Sequence, residues 1–320
     1  MGTITRYDKD NYKFIGKQFD FVHKNLLNSQ GLLQIIGKIF TDSVDYELSG
    51  MGDFAELPEY NGTLQATAPH RGFTKIITPR EYSDYYDLSI KRMKNDRTGE
   101  CNRAGSKMGS SVAMTEFLKV LRLFGNFTKT STDYVGGDGK AWGATDHPNA
   151  SLPSTGRTYT ADTKSGTYSN LGTEELSRAA IDNARTAMCK FLTPAGLPYL
   201  CNPDMILVSQ DLEPEAAALL GRTSKLTPMK DPDSAENAAS SISDLRYIVV
   251  GAGADGLQGK QWALCDSSRM KETVKIITNT EGKIFKDVIT GDALVKRIQS
   301  YIDFGVGFGD ARQIYFSNPS

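Results

Sequence analysis

The stretch from Gly291 to Pro319 constrains the fold of this chain more than any other part of it. Asp292 to Ile302 runs without Gly or Pro into Asp303-Phe304-Gly305-Val306-Gly307-Phe308, then through Gly309-Asp310-Ala311-Arg312, and ends on Ile314-Tyr315-Phe316. The expectation is a long extended element, a sharp corner carrying Asp310 and Arg312, and a short terminal strand. Leu294, Ile298 and Ile302 suit a helix equally well, so periodicity alone leaves the first part open.

The N-terminal third raises a question of cover. Phe14, Ile15, Phe19, Val22 and Leu26 follow one helical face, and Leu32, Leu33, Ile35, Ile36, Ile39 and Phe40 continue beyond Gly31. Gly31 and Gly37 break the pattern, which predicts a helix followed by an irregular apolar arm. Either the chain's own domain or a neighbouring copy must cover that arm. Residues 50–90 change character: turn-rich segments flank a polar run, Phe73 to Ile77 reads as a strand, and Tyr82 to Ile90 continues it past Pro79. The expectation is a long hairpin with little apolar content, which in isolation is marginal in water and so lies on another surface.

Met108, Val112, Thr115, Leu118 and Leu121 place a helix over Arg103 to Phe124, with Gly105 and Gly109 weakening its first turns and Gly125-Asn126 as the stop. Residues 126–171 lack periodicity, which in a compact domain points to disorder or to extension over a partner. A second helix is expected from Thr173 as N-cap, with Glu174 and Glu175 at its positive end. A buried strand over Asp204 to Val208 and a short helix with Pro214 near its start follow. Arg222 to Ser243 reads as polar loop, and Arg246 to Val250 and Gln261 to Cys265 as strands.

Gly251-Ala252-Gly253-Ala254-Asp255-Gly256 has the G-x-G-x-x-G spacing of a dinucleotide-binding turn and follows the apolar run Tyr247 to Val250. That turn needs a helix whose N-terminus holds the pyrophosphate. Here Gly259 interrupts the position and Trp262-Ala263-Leu264 reads as a strand, so a glycine-rich hairpin is expected and no cofactor. His23, His70 and His147 are not at metal-ligand spacing with one another or with a cysteine. His147, before Pro148, reads as structural or exposed, and no serine stands in a nucleophile elbow. No catalytic, cofactor or metal residue is therefore assigned. Cys101, Cys189, Cys201 and Cys265 form no close pair and read as reduced thiols in a cytosolic setting. Over 320 residues the formal net charge is −1, which argues against a basic nucleic-acid binder, and no apolar run approaches a membrane span.

Several of these segments, in this order, resemble tailed-phage major capsid proteins. The run Ser43-Val44-Asp45-Tyr46, Leu57-Pro58-Glu59-Tyr60, Phe73 to Ile77 and Asp87-Leu88-Ser89-Ile90 is similar to the arm and extended loop of Mu-like capsid subunits. Asp138-Gly139-Lys140-Ala141-Trp142 with Asp146-His147-Pro148 resembles their loop after the spine helix, and the Asp-x-Arg corner at Asp310 and Arg312 resembles their C-terminal end.

The resemblance implies an α+β, HK97-like capsid fold. Its parts would be an N-terminal arm (1–49), an extended β-hairpin loop (50–90), a peripheral domain with spine helix (91–192), an axial domain (193–277) and return strands (278–320). It implies a structural subunit that self-assembles as hexamers and pentamers into an icosahedral shell around double-stranded DNA, held without sequence specificity. The setting would be the virion capsid, and the host cytoplasm during assembly, without membrane. A portal and a separate scaffolding protein would be partners, since no scaffolding segment is evident ahead of the arm. Phe73, Ile76, Asp310 and Arg312 are the expected assembly residues. Asp310 and Arg312, two apart in an extended segment, would share a face and pair with each other or with neighbouring subunits, buried between them. An encapsulin-like shell enclosing protein cargo is the same-fold alternative. A nucleotide-dependent oxidoreductase, resting on Gly251 to Gly256 alone, is the alternative from another class.

Overall fold

A computed structural model of the protein describes residues 4–51, 57, 59–62, 71–91, 99–149, 166–194, 197–220, 245–288 and 295–319. The expected polar loop at 222–243, Leu294 and the run 63–70 lie outside them.

The chain opens with α1 (Ile4–Ser29) and the single turn α2 (Gly31–Gln34), then β1 (Gly37–Phe40), β2 (Tyr46–Met51), β3 (Arg71–Ile77) and β4 (Arg80–Ser89). The spine helix α3 (Glu100–Gly125) follows and stops at Asn126, whose backbone N–H and side-chain amide both donate to the Arg122 carbonyl. α1 lies along α3 with Ile15 and Phe19 fully buried. Gly105 and Gly109 are the reason the two helices come so close. A Cβ at either would meet a backbone carbonyl of α1, that of Ile15 or of Phe19, at 2.7 Å. These glycines cost intrinsic helix propensity but create the groove in which α1 sits.

The apolar arm is covered by its own domain. Leu32, Ile35 and Ile36 are buried in the main core, and β1 joins β13 (Val274–Val288) as a parallel pair, Gly37 opposite Lys275 and Phe40 opposite Thr278. The expected irregular arm is therefore half ordered as a turn and a strand. β13 pairs antiparallel with β14 (Val295–Phe308), giving a sheet of order β1-β13-β14-β4. Along β14, Ile298, Ser300, Ile302 and Phe304 are buried while the residues between them are half-exposed. Period two wins over the helical reading because only alternation puts those four side chains against the helices while leaving Arg297, Gln299 and Tyr301 outside.

Residues 50–90 do not form one hairpin. β2 pairs with β3, Tyr46 opposite Ile77 and Met51 opposite Arg71, whereas β4 pairs with β14 from Ser89–Val295 to Arg80–Phe304. The break falls at Thr78-Pro79, where proline has no N–H to continue a ladder. β4 is thus the edge of the long sheet, and the projecting ribbon is β2–β3.

The second sheet draws on β5 (His147–Pro148) and β6 (Thr167–Tyr168) at its border, then β7 (Leu171–Gly172), α4 (Arg178–Cys189), β8 (Met205–Val208), α5 (Glu213–Leu219), β9 (Arg246–Val249), the short hairpin β10 (Gly251–Ala252) and β11 (Asp255–Gly256), β12 (Trp262–Cys265), α6 (Ser267–Thr273) and β15 (Ile314–Ser317). Its order is β7-β15-β12-β8-β9, and every residue of β8 and β12 is buried. One face carries Ile206, Val208 and Leu264 against Ala180, Ile181, Ala184 and Met188 of α4. The other joins the main core, where Trp142 packs on Phe124, Phe308 and Phe316.

α4 begins later than its sequence suggests. Ser177 is the N-cap, its hydroxyl accepting from the Ala180 N–H, and Thr173 lies outside. The preceding residues are committed elsewhere: β7 pairs with β15, and the Glu174 carbonyl accepts from Trp262 Nε1 and Ser317 Oγ.

The buried arginine corner and the projecting ribbon

Asp310 and Arg312 are not in extended backbone. The Asp310 carboxylate turns the chain by accepting the Arg312 N–H at 3.1 Å through Oδ1, an Asx turn between β14 and β15. Its Oδ2 takes Arg312 Nη1 at 2.6 Å. Arg312 Nε donates to the Leu192 carbonyl at 2.7 Å and Nη2 to the Asn149 carbonyl at 2.6 Å. The side chain is 0% exposed. The sequence expectation of a pair buried between subunits is corrected on this point: the burial is supplied by one chain. The guanidinium ties together the C-terminal corner, the segment after α3 and the end of α4. Burial works against its charge, but the Asp310 carboxylate offsets this and leaves its pKa above the ordinary arginine value.

The guanidinium carbon lies 5.0 Å from the centroid of the Tyr168 ring. The His147 ring stacks with the same tyrosine, centroids 5.1 Å apart and tilted by 19°. Burial pushes the Tyr168 phenol well up, with the Asp310 charge adding to it, so this ring stays neutral. His147 is fully buried, Nδ1 lying 2.6 Å from Asp138 Oδ2 and Nε2 3.1 Å from Asn170 Oδ1. Asn170 Oδ1 already accepts from the Ala144 N–H, which makes it an acceptor and His147 Nε2 the donor. The Asn170 amide donates to the carbonyls of Trp142, Ala311 and Ile314. Asn170, held in place by His147, thus satisfies backbone groups of a segment that has little secondary structure of its own. The sequence reading quoted Asp138 and His147 as one loop but missed that they, with Asn170 and Asn149, form the framework of the corner. Their spacing alone gives no sign of it.

Phe73 and Ile76 point different ways. Phe73 is half-buried, its ring 5.9 Å from the Arg312 guanidinium carbon, so it helps cover the corner. Ile76 is 60% exposed on the ribbon. The structure therefore groups Phe73, Asp310 and Arg312 and leaves Ile76 apart. Other large apolar side chains of the ribbon and its approach are open as well: Val44, Leu57 and Tyr60.

The glycine-rich motif forms a tight reversal, Gly251 opposite Gly256 and Ala252 opposite Asp255, with Gly253 at φ 61° and Gly256 at φ 93°. It seats on the end of α3, where Arg122 holds Asp255 through two hydrogen bonds of 3.0 and 3.2 Å. The chain leaves it into β12 and not into a helix. Among the described residues no group of three metal-binding side chains occurs. The Cys201 thiol is pushed up to about 12 by burial and then by Asp266, which removes its nucleophilic form. No described helix is long and apolar enough to cross a membrane.

The sequence model of a family described as phage capsid protein matches residues 72–316. Among solved structures, the capsid of an empty GTA particle computed with C5 symmetry is similar at a TM-score of 0.52, with 13% identity over 90% of this chain and 89% of that one. A chain from Mycobacterium phage Bobi is similar at a TM-score of 0.50, with 11% identity over 91% and 90%. No curated protein sequence matches. At these identities the likeness is one of fold, and it bears out the expected α+β, HK97-like architecture.

Proposed function

We propose, because the chain belongs to the phage capsid protein family, a specific mode of assembly for it. The protein is a structural major capsid subunit and not an enzyme, and capsid subunits of this kind build a shell of capsomers in the virion. Beyond that, our reading is an icosahedral shell of hexamers and pentamers around double-stranded DNA, with a portal and a separate scaffolding protein as partners and the host cytoplasm as the place of assembly. The domain limits of the sequence reading carry over, except that the extended loop is the β2–β3 ribbon and β4 belongs to the peripheral sheet.

The observation that carries this reading is the ribbon. Two strands joined only to each other are marginal in water, yet here Ile76, Leu57 and Tyr60 stand 60%, 81% and 69% exposed. A second copy covering them removes the cost, and symmetry repeats the gain at each contact. A net charge of −1 suits a wall that encloses DNA without gripping it. Electron microscopy of purified protein is the test. Closed shells with DNA or a portal support the reading, protein-filled shells support an encapsulin-like compartment, and small discrete particles overturn both. Deleting Asn61 to Gly72 should leave a soluble subunit that assembles poorly, and normal shells from that deletion would refute the role given to the ribbon.

A further inference from the structure

The loop that follows α4 folds back on itself and carries a cysteine at each end. Leu192 and Pro198 form an antiparallel bridge, and the Tyr199 N–H donates to the Phe191 carbonyl at 2.8 Å. The Thr193 N–H closes the turn on the Leu197 carbonyl at 2.7 Å. Cys189 and Cys201 each stand two residues outside the Phe191–Tyr199 bond, so the same register continued outward sets one opposite the other. Opposed residues of an antiparallel pair lie about 4.5–5.5 Å apart at Cα, within the span a disulfide accepts. Unwinding the last turn of α4 carries that register out to the two cysteines. Cys189, the last residue of α4, is exposed, whereas Cys201 is partly buried. Cys201 packs on the cluster that holds Met188 and Phe191, the two residues that flank Cys189 and Lys190. Cys265 is buried in the main core, on the other side of the second sheet. A charge on Cys189 is felt at the Cys201 thiol, in agreement with their closeness.

We propose that Cys189 and Cys201 are a reversible redox pair, joined by exchange with a small-molecule disulfide such as oxidised glutathione. The inference goes beyond the shell reading and holds without it. The Cys189 thiolate attacks one sulfur of the glutathione disulfide and expels one glutathione thiolate, leaving a mixed disulfide on α4. The Cys201 thiolate then attacks Cys189 Sγ, expels the second glutathione thiolate and completes the link. Each expelled thiolate takes up the proton that the attacking cysteine gave up. The pair thus loses two electrons, and one glutathione disulfide becomes two thiols. Exposure makes Cys189 the site of the first attack. The second step is the slow one, since burial and then Asp266 hold the Cys201 thiol up at about 12 and its thiolate is scarce near neutral pH. The link fastens the loop whose Leu192 carbonyl receives Arg312 Nε at 2.7 Å, so oxidation braces the buried corner from outside.

The experiment incubates the folded, reduced chain with oxidised glutathione, quenches with acid and maps the peptides by mass spectrometry. A glutathione adduct on Cys189 should appear first and give way to a Cys189–Cys201 disulfide, which dithiothreitol reverses. Between about pH 7 and 9 the second step should speed up about tenfold per pH unit, as expected for a thiol that ionises well above that range. Cys201→Ser should stop at the adduct, and the oxidised wild type should melt above the reduced one. An adduct on Cys189 that persists without closing on Cys201 would overturn the proposal. So would a first adduct on Cys201, a disulfide to Cys265 or between two copies, or closure equally fast across that pH range.

Discussion

Truncating Arg312 to alanine removes three hydrogen bonds of 2.6 to 2.7 Å in one step, to Asp310, Leu192 and Asn149. Water does not replace them easily, because the arginine is 0% exposed and Asp310 only 31%. What remains is a carboxylate without its cation and two carbonyls without donors. Loss of one partner of a buried pair costs about 3–5 kcal/mol, far above the ~0–1 kcal/mol of an exposed pair. Arg297 provides the internal control. It grips Asp87 with two guanidinium hydrogen bonds, at 2.7 and 2.8 Å, where Arg312 gives Asp310 one, but the two side chains are 31% and 37% exposed. The closer ion pair is thus the exposed one, and burial decides which truncation costs more. Calorimetry or thermal circular dichroism of the unassembled subunit should show Arg312→Ala melting about 5–10 °C below wild type, and Arg297→Ala within about 2 °C of it. Arg312→Lys should also melt lower, since a single ammonium cannot serve three acceptors in different directions. Equal melting of the Arg312 and Arg297 alanine variants would refute the reasoning.

The seam between α1 and α3 carries a pH dependence. Burial lowers the pKa of His23 below its ordinary 6.5, against the opposing pull of Glu116; the neutral ring is favoured on folding, so its stabilisation is present above about pH 6.5 and lost as pH falls through the lower folded value. Replacing His23 with Gln should flatten melting temperature against pH between about 7 and 5, and an unchanged slope would count against this. At Gly109 an added Cβ meets the Phe19 carbonyl at 2.7 Å, so Gly109→Ala should cost about 1–3 kcal/mol and speed proteolysis of α1 ahead of the remaining chain. Gly256→Ala places a Cβ 2.5 Å from the Val250 carbonyl at positive φ and should destabilise the subunit. The wild-type protein should bind no NAD or FAD in titration calorimetry, and saturable binding lost in Gly253→Val would revive the oxidoreductase reading.

What the sequence disclosed depended on how local the cause was. The limits of α3 were legible because its apolar spacing and its stop at Asn126 lie within one segment. The start of α4 was not, since Thr173 and Ser177 are both good caps and the choice is made by β15, more than a hundred residues away. Gly105 and Gly109 read as weak points until the backbone of α1 was seen against them. The Asp310–Arg312 corner was found by its motif, but its burial within one chain comes from Asn149, Tyr168 and Leu192, none of which carries a mark of that role. The split of residues 50–90 was signalled by Pro79, which was read as an interruption and not as a change of partner.

The parallel pairing of β1 with β13 joins residues 37–40 to 275–278. Their separation along the chain sets an order of events during synthesis. When β1 leaves the ribosome its partner has not been made, and at about 5–20 residues per second more than ten seconds pass before it is. For that interval Leu32, Ile35 and Ile36 lack β13, although Phe19 of α1 and the apolar face of α3, which share their core, are made earlier than that strand. Contacts this distant in sequence form late, after the entropy of closing a large loop has been met. A chain halted before residue 274 cannot complete the long sheet, so the fold works as a check on length: an unfinished subunit lacks the frame that holds its ribbon out for a neighbour.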